Sequence, residues 1–165
     1  MLKEVINVEI KNLTYHHVVE NIETIKKFLV ISYNDNFFIS ENLCNSTVEN
    51  KILELCEYIK INKAILYGVF IDDSLVGIVW LYKHDYFDEP RLHVNHIIVD
   101  EDFRKQGIAK KLLAKAEEVA ADLKISTIDL YVSENNFVAT DMYKGLGYLT
   151  ERRYLTKKLN GESKC

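Results

Sequence analysis

In the stretch Val99-Asp100-Glu101-Asp102-Phe103-Arg104-Lys105-Gln106-Gly107-Ile108-Ala109, small residues and cations gather where an apolar run gives way to a helical pattern. The first N–H groups of a helix have no internal partner and lie at the positive end of its dipole. They can therefore hold a phosphate, provided small side chains let it approach. Gly107 and Ala109 give that access, and Arg104, Lys105, Lys110 and Lys111 collect at a helix end where cations are otherwise unfavourable. Taken alone, a loop glycine beside a solvated basic face would read the same way, so this segment supports both readings. Rival phosphate patterns fit worse. There is no Gly-Lys-Ser/Thr and no G-x-G-x-x-G after a first strand, which disfavours nucleotide hydrolysis and hydride transfer.

Side chains able to move a proton are Glu134, His96, His93, Asp100 and His84. His93 and His96 stand three apart in a strand-like run, hence on opposite faces of an ideal strand, which disfavours a shared metal site. His16-His17 falls on a helical segment and reads as surface. Cys44, Cys56 and Cys165 form no C-x-x-C pair, so neither a disulfide framework nor a zinc site is indicated, and no metal is expected.

The elements that must position these groups follow from periodicity. Val18, Val19, Ile22, Ile25, Phe28 and Leu29 recur at helical spacing. A second set, Val48, Ile52, Leu53, Leu55, Cys56 and Ile59, follows Ser46-x-x-Glu49, which reads as a capping box. Between them Tyr33 to Asn45 has no period of its own, and its aromatics Tyr33, Phe37 and Phe38 with Asp35 and Glu41 suit the lining of a cationic substrate's site, unless the aromatics pack as core. Two β-branched and aromatic runs, Ala64 to Ile71 and Leu75 to Tyr82, flank Asp72-Asp73-Ser74 as in a hairpin. A strand is expected from Leu92 to Val99. A strongly amphipathic helix follows, with Ile108, Ala109, Leu112, Leu113, Ala116, Val119, Ala120 and Leu123 on one face. Then come a strand from Thr127 to Val132, a short helix from Phe137 to Lys144 closed by Gly145 and Gly147, and a last β segment or hairpin from Tyr148 to Leu159. The strands flanking the long helix call for a right-handed crossover.

At 165 residues, 48% hydrophobic and 28% charged, with one Pro and no repeat or linker, the chain reads as one domain over 1–165. A net charge of −4 disfavours nonspecific nucleic-acid binding. No apolar run approaches the ~18 residues that span a bilayer, and Met1-Leu2-Lys3-Glu4-Val5 lacks a secretory pattern, so a cytoplasmic protein without membrane contact is expected.

The residues also carry a family resemblance. Arg104-x-x-Gly107-x-Ala109 after Ile97-Ile98-Val99-Asp100 resembles the acetyl-CoA pyrophosphate loop of the GNAT superfamily of N-acetyltransferases. Asn136-Phe137-Val138-Ala139-Thr140-Asp141-Met142-Tyr143-Lys144-Gly145-Leu146-Gly147-Tyr148 is similar to that superfamily's later motif, and the Val76-Gly77 step is similar as well. Two spaced motifs in the right order are far more specific than either alone. The likeness covers residues 64–159, leaving 1–63 as the part that varies with substrate.

The resemblance implies an α/β fold of the GNAT kind: a mixed, mostly antiparallel central sheet flanked by helices, its strands splayed at a cofactor groove. It also implies an acetyl-CoA-dependent N-acetyltransferase acting directly on a primary amine of a small molecule or peptide. The rival is a noncatalytic acyl-CoA-binding regulatory module. A homodimer is compatible with either. Backbone groups of Ile97, Ile98 and Val99 would pair with the pantetheine arm as an added strand. Lys105, Gln106, Gly107, Ile108, Ala109 and Lys110 would wrap the pyrophosphate with Arg104, and Asn136 would bond the pantetheine. Tyr143 would sit by the thioester sulfur as general acid, its ordinary pKa of about 10 keeping it protonated at neutral pH. Glu101 departs from the family's frequent Pro and leaves three acids beside the loop, expected to point into solvent. Leu130-Tyr131-Val132 replaces the Leu-Glu-Val of some peptide N-terminal acetyltransferases, so the resemblance names no base.

Overall fold

Asp72 and Asp73, both at positive φ (47° and 64°), form the tight turn that joins β2 (Ile65–Ile71) to β3 (Ser74–Tyr86). Phe87 and Asp88, at 48° and 64°, do the same between β3 and β4 (Glu89–Val99). Such turns match the twist of the strands they connect. Before this meander lies β1 (Val8–Asn12), antiparallel to β2, and after it β5 (Thr127–Leu130), parallel to β4. The five strands follow sequence order in one sheet. A parallel neighbour needs a crossover, and α4 (Ile108–Asp122) provides it.

The computed structural model describes residues 8–159, in two compact units that part between Ser133 and Glu134. In the first unit, α1 (Tyr15–Glu20), α2 (Ile22–Asn36) and α3 (Glu41–Lys60) cover one face of the sheet. Val18, Ile25, Phe28, Leu29, Val48, Ile52 and Leu55 are buried there with Leu66, Ile78 and Trp80. Each such large apolar side chain contributes about 1.5–3 kcal/mol by leaving water. The opposite face takes α4 through Ile108 and Leu112, which lie within van der Waals reach of a Cβ built on Gly77. No described helix is long and apolar enough to cross a membrane.

The second unit contributes α5 (Phe137–Gly145), closed by Gly147 at φ 89°. The β segment expected from Tyr148 to Leu159 is not formed: the chain there has no strand, and Leu149, Tyr154, Leu155 and Leu159 are exposed. Its apolar residues are split by Glu151-Arg152-Arg153 and Lys157-Lys158, so no strand face is continuously apolar.

Other expectations also change. The first helix breaks at Asn21, whose Nδ2 donates to His17 O (2.9 Å). Ser46 is not an N-cap. It lies inside α3 with its hydroxyl donating to Leu43 O, and the helix starts at Ser40, whose Oγ accepts from Leu43 N–H. Tyr33 to Asn45 is therefore mostly the end of α2 and the start of α3, with a linker of Phe37 to Ser40. Phe37 and Phe38 are exposed, so they do not form core. Cys44 is buried in α3, and Cys165 lies outside the described residues.

Candidate active site

β5 accompanies β4 only from Arg91↔Thr127 to Val94↔Leu130. Past that fork Ile97, Ile98 and Val99 pair inward with Val79, Ile78 and Gly77, and the outer edge of β4 has no strand partner among the described residues. Gly77 allows this layer to close, because a Cβ there would stand 3.0 Å from Ile98 O. The chain after Leu130 departs towards α2, where Ser133 Oγ donates to Asn36 O (2.6 Å).

At the end of β4 a 3-10 turn, Glu101–Phe103, leads to Lys105 at φ 61° and Gly107 at φ 79°, a left-handed N-cap that only glycine adopts without strain. No atom lies within 4 Å of where a Gly107 Cβ would stand, so the approach is open. The first internal bond of α4 is Lys111 N–H to Gly107 O, which leaves the N–H groups of Ile108, Ala109 and Lys110 outside the ladder. Lys105, Gln106 and Lys110 are exposed around them, while the Ile108 side chain is buried. A bare strand edge leading into an open, glycine-capped helix start fits a ligand that joins an extended amide-bearing arm to a diphosphate, which is the build of coenzyme A.

Two charges differ from expectation. Arg104 does not aim freely at this space: Nη2 donates to Asp35 Oδ2 (3.0 Å) and Nε to Val99 O (3.3 Å). Asp35 thereby neutralises a loop cation instead of waiting for a substrate's. Of the three acids, Glu101 and Asp102 are exposed, but Asp100 is held by Lys27 Nζ (2.8 Å) and by Asp102 N–H. The bond from Lys27 keeps its carboxyl below the usual range against the opposing effect of partial burial.

In the second unit Asn136 is the N-cap of α5, its Oδ1 accepting from Ala139 N–H (3.3 Å). Tyr143 lies two turns along the same helix, buried, with the Tyr148 ring 5.5 Å away. Burial and the neighbouring Tyr148 push its pKa up to about 12.

The candidate bases separate sharply. The register shift between Trp80↔His96 and Leu81↔Val94 leaves Asn95 without a partner. This bulge overturns the expectation of opposite faces: His93 opposes Tyr82, His96 opposes Trp80, and both rings stand on the α2–α3 side. His96 is sealed there, with Ser32 Oγ 3.2 Å from its Nδ1 and the Trp80 and Tyr33 rings at 5.6 and 5.9 Å. Burial, aided by Lys51, lowers its pKa to about 4.

His93, also buried, has Nδ1 2.7 Å from Asp129 Oδ1, while His84 Nε2 reaches the same carboxylate at 3.0 and 3.1 Å. Arg91 Nη1 stands 3.7 Å from Asp129 Oδ2. Two imidazoles and a carboxylate are donor types that a divalent metal accepts, but the adjacent guanidinium and the short contacts describe a hydrogen-bonded set. Burial lowers His93, with the Asp129 bond pulling the other way. Burial raises Asp129, yet the bonds from both histidines more than offset it and leave the carboxyl below its usual range. Glu134 is exposed. Asp129 escaped the sequence reading, though an acid inside the apolar run Thr127 to Val132 was its available signal.

Beside this cluster, a cavity of about 520 Å³ is lined by Lys51, Glu54, Tyr58, Trp80, Tyr82 and Asn95, with Asn62, Lys63 and Lys83 at its rim. None of the residues from Tyr33 to Asn45 lines it. Trp80 Nε1 is buried with no hydrogen-bond partner among the described residues.

Comparison with known proteins matches this architecture. The solved structure of the PaiA N-acetyltransferase from Thermoplasma acidophilum in complex with coenzyme A superposes with a TM-score of 0.73 at 22% identity, covering 88% of this chain and 91% of that one. The chloroplastic GCN5-related N-acetyltransferase 4 of Arabidopsis thaliana is 30% identical over 113 residues, 67% of this chain and 38% of the relative. The catalytic subunit naa20 of the Schizosaccharomyces pombe N-terminal acetyltransferase B complex is 32% identical over 84 residues, 51% of this chain and 47% of the relative. The chain thus spans less than half the length of these curated relatives. The family model described as "Acetyltransferase (GNAT) family" matches residues 29–148, which contain the bare β4 edge, the glycine-capped helix and the motif of α5, so the chain belongs to that family.

Proposed function

We propose that this protein is an acetyl-CoA-dependent N-acetyltransferase that moves an acetyl group directly onto a primary amine. The observation that carries the reading is the unpaired edge of β4 at Ile97 to Val99 running into the open N-terminus of α4 behind Gly107. Acetyl-CoA, the donor substrate, supplies a thioester whose carbon is open to attack by an amine. Ile97, Ile98 and Val99 hold its pantetheine arm by backbone pairing. The N–H groups following Gly107 hold the diphosphate, with Lys105, Gln106 and Lys110 around it and Arg104 steadying the loop. Asn136 is assigned a bond to the pantetheine. Tyr143 is assigned the role of general acid to the departing sulfur, and a pKa near 12 keeps its hydroxyl protonated at every working pH.

The 520 Å³ cavity is assigned to the acceptor. Lys51, Lys63 and Lys83 against the single acid Glu54 favour an amine whose scaffold also carries negative charge, such as an amino acid or acidic peptide, over a polyamine. The S. pombe relative is by name an N-terminal acetyltransferase subunit, in keeping with a peptide-like acceptor.

The test is release of free thiol from acetyl-CoA over an amine panel that includes carboxylated and purely cationic members. Turnover with some amine and a CoA-dependent rise in melting temperature are expected. Stabilisation by CoA without turnover on any amine would instead establish a binding module. Tyr143→Phe should slow single-turnover acyl transfer by ~10²–10⁴-fold with CoA affinity retained. An unchanged transfer rate removes Tyr143 from the chemistry.

A further inference from the structure

The amine that attacks a thioester is almost wholly protonated at neutral pH, so acyl transfer needs a place for its proton. The resemblance names no such group, and among the described residues the fork between β4 and β5 offers one. We infer that His93 is the general base of the reaction, its Nε2 receiving the amine's proton while Asp129 and His84 position the ring. The assignment rests on the proposed acyltransferase reading.

Three observations carry it. The first is tautomer. An ionised carboxylate only accepts, so the 2.7 Å contact makes His93 Nδ1 the protonated nitrogen and leaves Nε2 with a lone pair. Among the described residues no hydrogen bond occupies that Nε2.

The second is place. An extended ligand paired with Ile97 to Val99 and followed away from the Gly107 loop runs back along β4 to the fork, which closes at Val94↔Leu130, one pair from His93↔Asp129. The Asn95 bulge turns the His93 ring to the face that carries the cavity, and the tilted ring of Tyr82, a cavity residue, packs against it with centroids 4.9 Å apart.

The third is contrast. His96, on the same face, is enclosed by Ser32, Tyr33 and Trp80 and has no carboxylate among the described residues to receive its N–H. His93 is bounded by groups from three strands: Tyr82 and His84 of β3, Arg91 and His96 of β4, and Asp129 and Tyr131 around β5. Glu54 and Lys51 of α3 reach the same neighbourhood through the cavity wall. Burial keeps the imidazole neutral at pH 7, ready to accept, and Asp129 compensates the imidazolium that forms.

In the step, the nitrogen–acyl bond forms and the carbon–sulfur bond breaks. The amine proton passes to His93 Nε2 and then to solvent, and the released sulfur takes a proton as the free thiol.

The experiment compares wild type with His93→Gln and Asp129→Asn on the best amine of the panel, measuring kcat/KM from pH 5 to 9 and CoA binding by calorimetry. His93→Gln is expected to lose ~10²–10⁴-fold in kcat/KM and its acid limb, with CoA affinity unchanged. Asp129→Asn, which removes the charge that fixes the Nδ1–H tautomer and offsets the imidazolium and adds an amide donor beside it, is expected to lose at least ~10-fold and to move that limb. The smaller His93→Ala should regain activity with added imidazole, which a purely structural role would not allow. Wild-type turnover matched by His93→Gln within about twofold, limb included, overturns the assignment and leaves the acyltransferase reading standing. A wild type that releases no thiol with any amine overturns both.

Discussion

β4 changes character at Asn95. Before the bulge the strand is hydrogen-bonded on both edges, by β3 and β5, and its α2–α3 face carries Arg91 and His93 against Asp129. After it one edge is bare and the face-borne side chains give way to backbone groups and the glycine-capped start of α4. Chemistry that needs a titrating atom requires a side chain held still, which two flanking strands provide. Holding a long, flexible ligand requires repeated donors and acceptors, and an unpaired edge already presents them. In the proposed reaction one strand thus serves both substrates, through one extra residue and an early end to its neighbour.

The largest effect that tests this division is acid sensitivity. A histidine whose folded pKa lies below its unfolded value of 6.5 binds fewer protons folded than unfolded between the two values. Its contribution is therefore complete above about pH 6.5 and lost as pH falls. For His96, at about 4, the loss amounts to at most ~3 kcal/mol by pH 4. Urea unfolding at pH 7.5 and 5 should record it, and His96→Phe should flatten the difference. A slope that survives in His96→Phe would move the effect to His93 or elsewhere.

Next comes Gly107→Glu. The site has room for a side chain but not the backbone freedom, so the folded protein should lose about 1 kcal/mol from the positive φ. CoA affinity should fall about 100-fold, ~2.8 kcal/mol, through charge and bulk at the diphosphate. Calorimetric titration showing wild-type affinity would detach the loop from the cofactor.

A smaller change is expected on the other side of the bulge. Lys83→Glu at the cavity rim should raise the Michaelis constant for an acidic amine roughly fivefold, ~1 kcal/mol, and leave that for acetyl-CoA alone. Equal shifts in both constants would erase the boundary between the two halves. The smallest effect belongs to Asp35→Ala. Its ion pair with Arg104 is about half exposed, so stability should move by less than ~0.5 kcal/mol. The released guanidinium should tighten CoA no more than about threefold, ~0.65 kcal/mol, in low-salt titrations.

Much of this was legible in the residues. The loop from Arg104 to Lys110 runs into α4 with Gly107 as its N-cap, and α4 follows the apolar spacing from Ile108 to Ala120, because burial against the sheet, with Ile108 and Leu112 over Gly77, enforces that period; Leu123 ends the helix as an exposed C-cap. The Asp72-Asp73 turn was equally plain. What escaped was set by partners distant in sequence. Val8–Asn12 is a short edge strand whose Glu9 and Lys11 pair with each other, and its membership in the sheet shows only beside β2. Ser40 caps α3 without a matching acid three residues on, so Ser46-x-x-Glu49 imitated the start better than the start itself. The Asn95 bulge leaves no mark in apolar alternation, yet it decides which way two histidines face.

Helix α2 grips both sides of the fork. Lys27 holds Asp100 and Asp35 holds Arg104 on the side that follows β4, while Asn36 O receives Ser133 Oγ on the side that follows β5. Its far surface meets α3, which lines the cavity assigned above to the acceptor. In the proposed reaction, a displacement of this helix by one substrate would change the gap offered to the other. Linkage requires such influence to be reciprocal: whatever factor a bound acceptor adds to cofactor affinity, the bound cofactor adds to acceptor affinity. In the proposed reaction, the size of that mutual factor would depend on how firmly these polar ties hold.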